Sequence, residues 1–472
     1  MGTRYGSHWL AGVALVVGSF ASSAGAQELP PAQELETTVQ DGFTVAAVGD
    51  VIVAHSLGHL MADPDFAAVI ELLRSADVTT GNLEGHIIDG RTVQASAGGG
   101  FGGEPNAADW LVEAGFDLLQ RANNHANDFG IEGVQETSRH LDRVGLQYAG
   151  AGNTYAAARA ARFYTSKRGR AGMVAAFVSD QVGLNAAAPG RGEWPGRGGI
   201  NVLQVQRSLM VPEDRWYMVR TLRDDFPNGT SHYARGANTD DHIVFLGTSF
   251  RKAPAGTKEP YYSFQMNQGH LRDVLAAIRE GKMRSDFLTF AIHSHHFRDA
   301  KGGFRGRGIP EAEHLDTNPS VPDFHEVLAR AAIDNGADMF QGTGVHVLRG
   351  IEIYNGRPIF YGLGEFIRQM DVIGLSGMTP DGILERSDCE GCPHPVKYQS
   401  VIAISEFAGG RLKEVRLHPV ELLDSGVRLA HRGTPRIASP PVAREILERL
   451  QELSAPYGTE IEIEGNIGYI RP

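Results

Sequence analysis

A regular alternation of β-rich runs with helix-like runs is the feature that most constrains how this chain can fold. The alternation occupies the first 150 residues and returns between residues 287 and 346. Because strands that alternate with helices build layered α/β folds, we expect a sheet covered by helices. The predicted strands are Phe43–Val48, Asp77–Thr80, Phe116–Leu119, Gln147–Gly150, Phe287–Ile292 and Ala337–Phe340, and the predicted helices are Phe66–Ser75, Ala107–Ala114, Gly133–Val144 and Phe324–Asn335.

Polar side chains follow several of these predicted strands directly. Ligands of α/β sheets bind at the carboxyl ends of the strands, so we expect these side chains to converge on one site. Asp, Glu, Asn and His are the residue types that ligate divalent metals or carry out acid–base chemistry. A second interpretation, in which some of them cap the following helices, stays open at this stage. The residues are Asp50, Asn82, Glu84, Asn124, His125, His293 and His346.

The densest polar cluster lies between Arg121 and Gly130, in the sequence Arg-Ala-Asn-Asn-His-Ala-Asn-Asp-Phe-Gly. Such groups are unfavourable in a core, because each buried polar group needs a partner. An Asn offers a neutral oxygen to a metal or a phosphate, and His125 can ligate a metal or move a proton near neutral pH. Gly130 allows a sharp turn after the cluster. The alternative is a helix C-terminus with polar capping residues.

Composition and charge narrow the classes of function. The chain has 472 residues, 42% hydrophobic and 21% charged, which is typical of two or three globular domains or one elaborated α/β domain. Its net charge is -12, and nonspecific binding to nucleic acid needs a positive surface, so we predict no nucleic-acid partner. Anionic ligands remain compatible with this charge, since a metal or a helix N-terminus reverses the local sign.

The N-terminus has the pattern of a signal peptide. Arg4 precedes the apolar run Trp9–Phe20, and Ala24-Gly-Ala26 is a small-x-small cleavage signal before Gln27. The apolar run is too short to span a bilayer. We therefore predict a cleaved signal peptide over residues 1–26, a flexible lead-in over 27–41, and an exported protein, periplasmic or extracellular.

The two cysteines, Cys389 and Cys392, lie close together in a Gly- and Pro-rich loop predicted over residues 376–398. In an exported protein we favour a local disulfide, although a redox-active or metal-binding pair has the same spacing. Beyond the loop, residues 399–472 contain two strand-like runs and the amphipathic stretch Ala443–Leu453. We interpret this part as a small C-terminal α+β extension that packs on the same fold.

Two further features carry weaker signals. A Gly-, Pro- and Arg-rich segment over residues 183–201 contains Arg191, Trp194 and Arg197. Because Arg binds carboxylates bidentately, this loop is a candidate clamp for an anionic polymer, and an ordinary surface loop is the equal alternative. His55 and His59 are four residues apart and are interpreted as surface or site-rim residues.

Together these segments resemble the CapA family, the poly-γ-glutamate capsule biosynthesis proteins. The resemblance covers roughly residues 43 to 366, and we place the corresponding domain at residues 42–375. The Asn-Asn-His-Ala-x-Asp-x-Gly element is highly specific, whereas the lone Gly-Asp is weak. The matching segments are Val48-Gly-Asp50, Gly81-Asn-Leu-Glu84, Ala122–Gly130, Tyr148-Ala-Gly-Ala-Gly152, His293, Gly336-Ala-Asp338 and Ile351–Phe366.

The resemblance implies a four-layer α-β-β-α sandwich of the calcineurin-like metallophosphoesterase type. In such enzymes metals at the strand ends activate a water molecule against a phosphate ester. Carried over by motif, Asp50, Glu84 and His125 are the implied catalytic residues. The implied metal ligands are Asp50, Glu84, Asn124, His293 and His346. As substrate-binding residues we predict Asn82, Asn123 and Arg197.

The sequence departs from the phosphoesterase pattern at several ligand positions. Ile52 stands where those enzymes have a His, and Gly344 stands at the penultimate ligand position of the last motif. The family's Gly-Asn-Phe reads Gly-Glu365-Phe here, and its His-Trp-Gly reads His293-Ser-His295 with His296 next. His295, His296 or Glu365 are the candidates to compensate. We therefore expect at most one divalent metal ion, of unspecified identity, in a degenerate site.

Three classes of function follow. The favoured one is a secreted CapA-family protein of capsule or poly-γ-glutamate-type polymer biosynthesis, with an anionic polymer or peptide-like substrate and a membrane-bound polymer synthase as partners. The second is a metal-dependent hydrolase of a phosphate ester or an amide. The third is a metal-free acid–base enzyme acting on a peptide. Within the favoured class, a non-catalytic role in export or assembly of the polymer also stays open. Whether the protein is an enzyme is therefore left open by the residues, and any activity is expected to be hydrolase-like.

Overall fold

The computed structural model describes residues 37–89, 91, 100–180, 183, 186–226, 239–300, 318–369, 383–384, 395–424 and 426–472. The residues from Thr37 to Pro472 gather into one unit. The predicted signal peptide, Cys389 and Cys392 lie outside the described residues. Within the described part of the chain, no helix has the length and apolar character needed to cross a membrane.

The described residues form eight α-helices and twenty-six strands, numbered here in chain order. The helices are α1 (Pro64–Ser75), α2 (Asn106–Ala114), α3 (Gly130–Val144), α4 (Tyr155–Arg159), α5 (Trp216–Asp225), α6 (Gln268–Lys282), α7 (Asp323–Asp334) and α8 (Pro440–Ser454). The strands are β1 (Phe43–Ile52), β2 (Val78–Leu83), β3 (His86–Ile87), β4 (Gly102–Gly103), β5 (Leu118–Gln120), β6 (Gln147–Ala149), β7 (Ala151–Gly152), β8 (Arg162–Thr165), β9 (Arg170–Ser179), β10 (Gly199–Ile200), β11 (Val202–Val211), β12 (His242–Phe245), β13 (Thr248–Lys252), β14 (Tyr261–Met266), β15 (Phe287–His293), β16 (Met339–Thr343), β17 (Ile351–Tyr354), β18 (Arg357–Phe360), β19 (Glu365–Arg368), β20 (Ile383–Leu384), β21 (Gln399–Ala408), β22 (Arg411–Leu422), β23 (Val427–Arg428), β24 (Pro435–Ile437), β25 (Glu462–Glu464) and β26 (Ile467–Ile470).

Two ten-stranded sheets dominate the fold. The first has the order β25-β26-β22-β21-β1-β2-β5-β6, with β19 paired to β1 and β24 to β22. The second has the order β12-β13-β11-β9-β15-β16-β18-β17, with β14 paired to β11 and β8 to β9. Strands β1, β2, β5 and β6 run parallel, and so do β9, β15, β16 and β18. The α/β class predicted from the alternation is therefore confirmed.

Helix α1 shows how local sequence sets the packing. The Asp63 carboxylate accepts hydrogen bonds from the backbone N–H groups of Asp65 and Phe66, which caps the helix, and a proline occupies its first turn. Four apolar residues at i, i+3, i+4 and i+7 spacing are buried against the first sheet: Phe66, Val69, Ile70 and Leu73. Burial of this stripe holds the helix on the sheet, at roughly 25 cal/mol per Å² of apolar surface.

The two sheets meet in a shared apolar cluster. Phe43 of β1 packs on Phe287 of β15, with ring centroids 5.3 Å apart, and Met339 of β16 belongs to the same cluster. Helices α1 and α2 share a second cluster with the first sheet, and α6 and α7 share a third with the second sheet. Close packing of this kind fixes the strand ends of one sheet relative to those of the other.

The residues after 398 take part in the first sheet itself. Strand β21 is antiparallel to β1, with registers from Phe43↔Phe407 to Ala47↔Ala403, and β22 pairs along the whole of β21. Helix α8 buries Ile446 and Leu450 in the cluster between the sheets. The C-terminal segment therefore supports the strand that carries Asp50.

Two features of the sheets differ from the sequence expectation. Strand β1 extends to Ile52, because β19 and β2 pair with its carboxyl half, so Asp50 lies within the strand at a shift in register. Residues 162–282 have no clear alternating pattern, yet they supply β9 and β11, two of the longest strands. Strand β9 is buried along almost its whole length, and such strands read as apolar runs without alternation.

Candidate functional site

The carboxyl ends of parallel strands from both sheets meet at one place. On the first sheet Asp50 is in register with Asn82 of β2 and with Glu365 of β19. On the second sheet His293, at the end of β15, is in register with Thr343 at the end of β16. Asn82 Nδ2 lies 3.0 Å from His293 Nδ1, so the two sets of strand ends are in direct contact.

Asn82 connects the strand ends of the two sheets through its side-chain amide. Its Nδ2 donates to Asp50 Oδ1 (2.8 Å), and its Oδ1 accepts from Asn123 Nδ2 (3.1 Å). The second oxygen of Asp50 accepts from the backbone N–H of Gly344 (3.2 Å). These side chains are buried, so the hydrogen bonds fix Asp50 and His293 relative to one another.

Glu84 lies beside this network with a side chain that is wholly inaccessible to solvent. Within the described residues, neither of its carboxylate oxygens has a hydrogen-bond partner. Three imidazole nitrogens face its Oε1: His293 Nε2 at 3.6 Å, and His125 Nε2 and His346 Nε2 at 3.9 Å. A buried carboxylate that faces several imidazoles is the donor arrangement of a divalent-metal site.

Neighbouring groups give the two buried carboxyl groups pKa shifts in opposite directions. Burial alone would raise the pKa of Asp50, but hydrogen bonds and charge from His293 and His346 outweigh it and hold that pKa well below its usual value. The pKa of Glu84 is raised well above its usual value, first by burial and then by the negative charges of Asp50 and Glu365. A cation beside Glu84 would relieve this repulsion.

Two overlapping groups of side chains are able to hold a metal ion, and they share Glu84. One combines Glu84 with His295 and His346, and the other combines Glu84 with Asp50 and His293, with ligand atoms within 4.8 Å in each group. In the second group Asp50 and His293 are already engaged by Asn82. In the first group, the oxygens of Glu84 have no hydrogen-bond partner among the described residues. His346 is oriented through Nδ1, which lies 3.2 Å from both Asp50 Oδ2 and Glu365 Oε1, so that its Nε2 faces Glu84. The first group is therefore the better fit to a single ion.

The two histidines that follow β15, His295 and His296, lie in different surroundings. His293 Nε2 lies 2.8 Å from Asn124 Oδ1 and 3.1 Å from His295 Nε2, so His295 and Asn124 both reach the site. His296 instead has Nε2 at 2.8 Å from Asp180 Oδ1 and Nδ1 at 2.9 Å from the hydroxyl oxygen of Ser294. The sequence pattern had left His295 and His296 as equal candidates.

His125 is held at the mouth of the site by a carboxylate. Its Nδ1 lies 2.7 Å from Asp128 Oδ2, which also accepts from the backbone N–H of Phe101 (3.1 Å). The Phe101 ring packs on the imidazole with centroids 4.0 Å apart. About a quarter of the His125 side chain is exposed, and Nε2 faces Glu84, which is suitable geometry for proton transfer to a bound ligand.

Glu365 is a buried residue of the site whose role the sequence left open. Both of its oxygens contact Arg368 Nη1, at 2.5 and 2.6 Å, and Oε1 lies 3.2 Å from His346 Nδ1. His346 itself has a positive φ of 62°, which is uncommon for a residue other than glycine. Glu365 and Arg368 thus hold the His346 ring in place. The Gly-Glu-Phe triplet at a family motif was the only sequence signal for this pair.

The remaining predicted residues lie in different settings. Arg197 is exposed, and its guanidinium donates to the backbone carbonyls of Ala186 and Gly183 in its own loop. Asn123 donates to the Leu83 carbonyl as well as to Asn82, so its amide supports the site internally. Ile52, at the position of a phosphoesterase histidine, is a buried apolar residue of β1.

His55 and His59 form a separate stack with a third histidine. The ring centroids of His55 and His59 are 5.9 Å apart, and those of His59 and His431 are also 5.9 Å apart. Neither predicted rim residue belongs to the metal-ligand groups found among the described residues.

Comparison with known proteins finds a matching family and several relatives. The sequence matches the family described as "Bacterial capsule synthesis protein PGA_cap" over residues 44–300 and 314–370. It is 39% identical over 465 residues to "Uncharacterized protein y4sH" of Sinorhizobium fredii, which covers 92% of this chain and 94% of the relative. It is 23% identical over 349 residues to "PGA biosynthesis protein CapA" of Bacillus subtilis, covering 73% of this chain and 67% of the relative. For "Capsule biosynthesis protein CapA" of Bacillus anthracis the identity is 22% over 332 residues, 69% of this chain and 59% of the relative.

Proposed function

Since this chain belongs to the bacterial capsule synthesis protein family, which confirms the resemblance to CapA, we propose that it acts in the biosynthesis of a polyglutamate-type polymer through a one-metal hydrolytic site. The names of the Bacillus relatives support the polymer class. The observation that supports the metal site is the buried carboxylate of Glu84, which faces several imidazoles and accepts no hydrogen bond from the residues that the structure describes.

We propose that the two sheets and their helices have the four-layer α-β-β-α order of metallophosphoesterases. Three apolar clusters support this order. One lies between α1, α2 and the first sheet, one between the two sheets, and one between the second sheet and α6 and α7.

Glu84, His295 and His346 would hold the ion, with Asn124 Oδ1 close by. A divalent ion at this position supplies Lewis acidity and lowers the pKa of a water molecule, which makes hydrolysis of an amide or a phosphate ester feasible near neutral pH. Carboxylate, imidazole and amide donors suit a first-row divalent ion better than Ca²⁺, which prefers oxygen ligands throughout.

The protein's own side chains have separate roles in the proposed reaction. His125, oriented by Asp128, donates a proton to the leaving group from Nε2. Asn82 keeps Asp50 and His293 in fixed positions at the base of the site. Glu365, held by Arg368, orients His346. The carboxylate of Asp50 adds its negative charge to that of Glu84, and together they attract the ion.

Metal analysis tests the proposal directly. We expect purified protein to retain about one equivalent of a divalent ion after dialysis, and Glu84→Gln to lose it, because the neutral amide is a weaker ligand. Glu113→Gln, an exposed change on α2, is the matched control and should retain the ion. Retention of a full equivalent by Glu84→Gln would refute the ligand assignment. Two equivalents per chain, with activity lost on chelation, would support a dinuclear centre instead.

The contact between His125 and Asp128 favours a second candidate function, metal-free acid–base chemistry on a peptide. In that case His125 and a carboxyl group exchange protons with the substrate while no ion takes part. Activity that survives complete removal of metal by a chelator would support this candidate over the hydrolase.

We further propose that the protein is exported and works beside a membrane-bound polymer synthase. The apolar run Trp9–Phe20 and the Ala24-Gly-Ala26 signal support the export. N-terminal sequencing of protein from the producing cell should find Gln27 first. Intact Met1 on most of the exported protein would contradict it.

A further inference from the structure

A cavity of about 990 Å³ lies beside β11, separate from the metal-ligand groups. We call it the β11 cleft and define it by the lining residues Asp180, Gln204, Gln206, Arg207, Ser249 and Gln265. Successive residues of a strand point to opposite faces, and both Gln206 and Arg207 line the cavity. The cleft therefore opens along an edge of β11 as well as over one face.

Among the described residues, no strand pairs with the middle of that edge. On this side β11 pairs with β9 only up to Gln204, and with β13 only from Leu209 onward. On the other side β14 pairs with it continuously from Val205 to Met210. Among the described strands, none fills the gap between the end of β9 and the start of β13.

Backbone alternation identifies the residue that faces the gap. The Gln204 carbonyl accepts from the N–H of Asn267, so Gln204 and Gln206 direct their backbone groups toward β14. By the same alternation Arg207 directs its N–H and C=O to the opposite edge, into the gap. An exposed edge with both a donor and an acceptor is a template for adding an extended chain.

Amide side chains surround this edge. Gln206 is paired in register with Gln265, and both are exposed, while Gln204 and Gln268 also line the cavity. A carboxamide carries two N–H donors and an oxygen acceptor, which matches the donor and acceptor of a chain amide. The one cation among the residues defining the cleft, Arg207, lies 3.5 Å from Asp180, so charge is largely balanced here. We therefore expect this lining to bind the amide groups of a chain in preference to the carboxylates of a simple polyanion.

The cleft is connected to the candidate metal site by hydrogen bonds. Asp180 Oδ1 lies 2.8 Å from His296 Nε2, and His296 Nδ1 lies 2.9 Å from the Ser294 hydroxyl. Ser294 stands between His293 and His295 in the sequence. The Asp180 end of the cleft is thus linked to the loop that carries His293 and His295.

We propose that the β11 cleft is a binding site for an extended polyamide chain, which pairs with the Arg207 backbone and with the glutamine side chains. The inference rests on the proposed function in one respect only, which is that the bound chain runs toward the metal site. Binding in the cleft itself requires no hydrolysis.

Fluorescence anisotropy with a labelled γ-linked glutamate decamer tests the site, and polyacrylate of matched length serves as a competitor that carries carboxylates without amides. We expect saturable binding, weakened about tenfold by Gln206→Leu and by Arg207→Pro, because each removes a hydrogen-bonding group. Proline removes the N–H that faces the gap and leaves the bonds to β14 in place. Arg207→Ala, which loses the same side chain but keeps the backbone N–H, is the matched comparison for Arg207→Pro and should weaken binding less. Gln147→Leu, outside the cleft, is the control and should bind within about threefold of wild type.

Unchanged affinity in both Gln206→Leu and Arg207→Pro, with thermal melting like that of wild type, would overturn the proposal. Equal competition by polyacrylate would also overturn it, because it would show recognition of charge alone. The same titration on Glu84→Gln separates this proposal from the hydrolytic function. If Glu84→Gln still binds the decamer, the binding site in the β11 cleft is supported even where hydrolysis fails. If the wild-type protein is active but does not bind the decamer, the cleft proposal is refuted and the proposed hydrolytic function is not.

Discussion

Gly344 packs directly on the imidazole of His293. A Cβ atom placed at residue 344 would lie 3.1 Å from both Cε1 and Nε2 of that ring and 2.7 Å from the backbone nitrogen of Ser294. The φ of Gly344 is +102°, a conformation that other residues rarely adopt. A side chain at residue 344 would therefore collide with the His293 ring, whereas His295 reaches the same ring from the loop after β15.

The first prediction is that Gly344→Ala weakens metal binding, since the added methyl group must displace His293 or Ser294. Gly145→Ala is the matched control. Its φ is +76° with no atom within 4 Å of the added Cβ, so it shows the backbone cost alone, about 1–2 kcal/mol. Urea denaturation and metal titration should show a larger stability loss for Gly344→Ala than for Gly145→Ala, with loss of metal affinity only in the former. Equal effects of the two changes would argue against the contact.

The second prediction concerns proton transfer by His125. We expect His125→Ala to lower the turnover of a chromogenic aryl phosphate or γ-glutamyl anilide by about 10²–10⁴-fold, the usual contribution of a general acid. Asp128→Asn should lower turnover less, because the imidazole stays in place but loses the carboxylate that fixes its orientation. Metal content should stay at the wild-type value in both variants. A parallel loss of metal would show that His125 is a ligand instead.

The third prediction tests the ion pair between Glu365 and Arg368. Arg368→Met leaves a buried carboxylate without its cation and near two others, and breaking such a pair costs about 3–5 kcal/mol. Glu365→Gln combined with Arg368→Met should recover much of that free energy of unfolding, because no unpaired charge remains. A double variant as unstable as the sum of the single changes would show that the two residues act independently.

The fourth prediction is a pH dependence of stability that arises from His418 of β22, which belongs to neither metal-ligand group. Burial, with a smaller effect of Arg416, lowers the pKa of His418 on β22 to about 4. The unfolded chain then binds a proton near pH 6.5 that the folded protein does not, so this residue removes stability as the pH falls from 6.5 to 4. His418→Leu should remove roughly 2 kcal/mol of the loss between pH 7.5 and pH 4.5. The comparison at pH 7.5, where His418 is neutral in both states, is the internal control, and identical acid sensitivity of the two proteins would count against this assignment.

Local sequence was sufficient for some elements of the fold, but not for β9 and β11. The cap at Asp63 and the apolar spacing of α1 depend only on neighbouring residues, and so does the apolar run of β15. The placement of Glu84 directly after β2 also followed from local pattern, whereas Asp50 lies within β1, which is longer than the sequence indicated. Family membership followed from the same short motifs.

The tertiary structure decided which of these groups touch. Asn82 and His293 are 211 residues apart and meet only because the apolar cluster between the sheets aligns two sets of strand ends. The choice of His295 over His296, and the contact of Glu365 with His346, depend on distances of 3–4 Å that no periodicity encodes. The gap along β11 likewise exists only because β9 and β13 pair with different halves of one strand. Sequence pattern specifies where a polar group stands along its own element, whereas convergence between elements is a property of long-range packing.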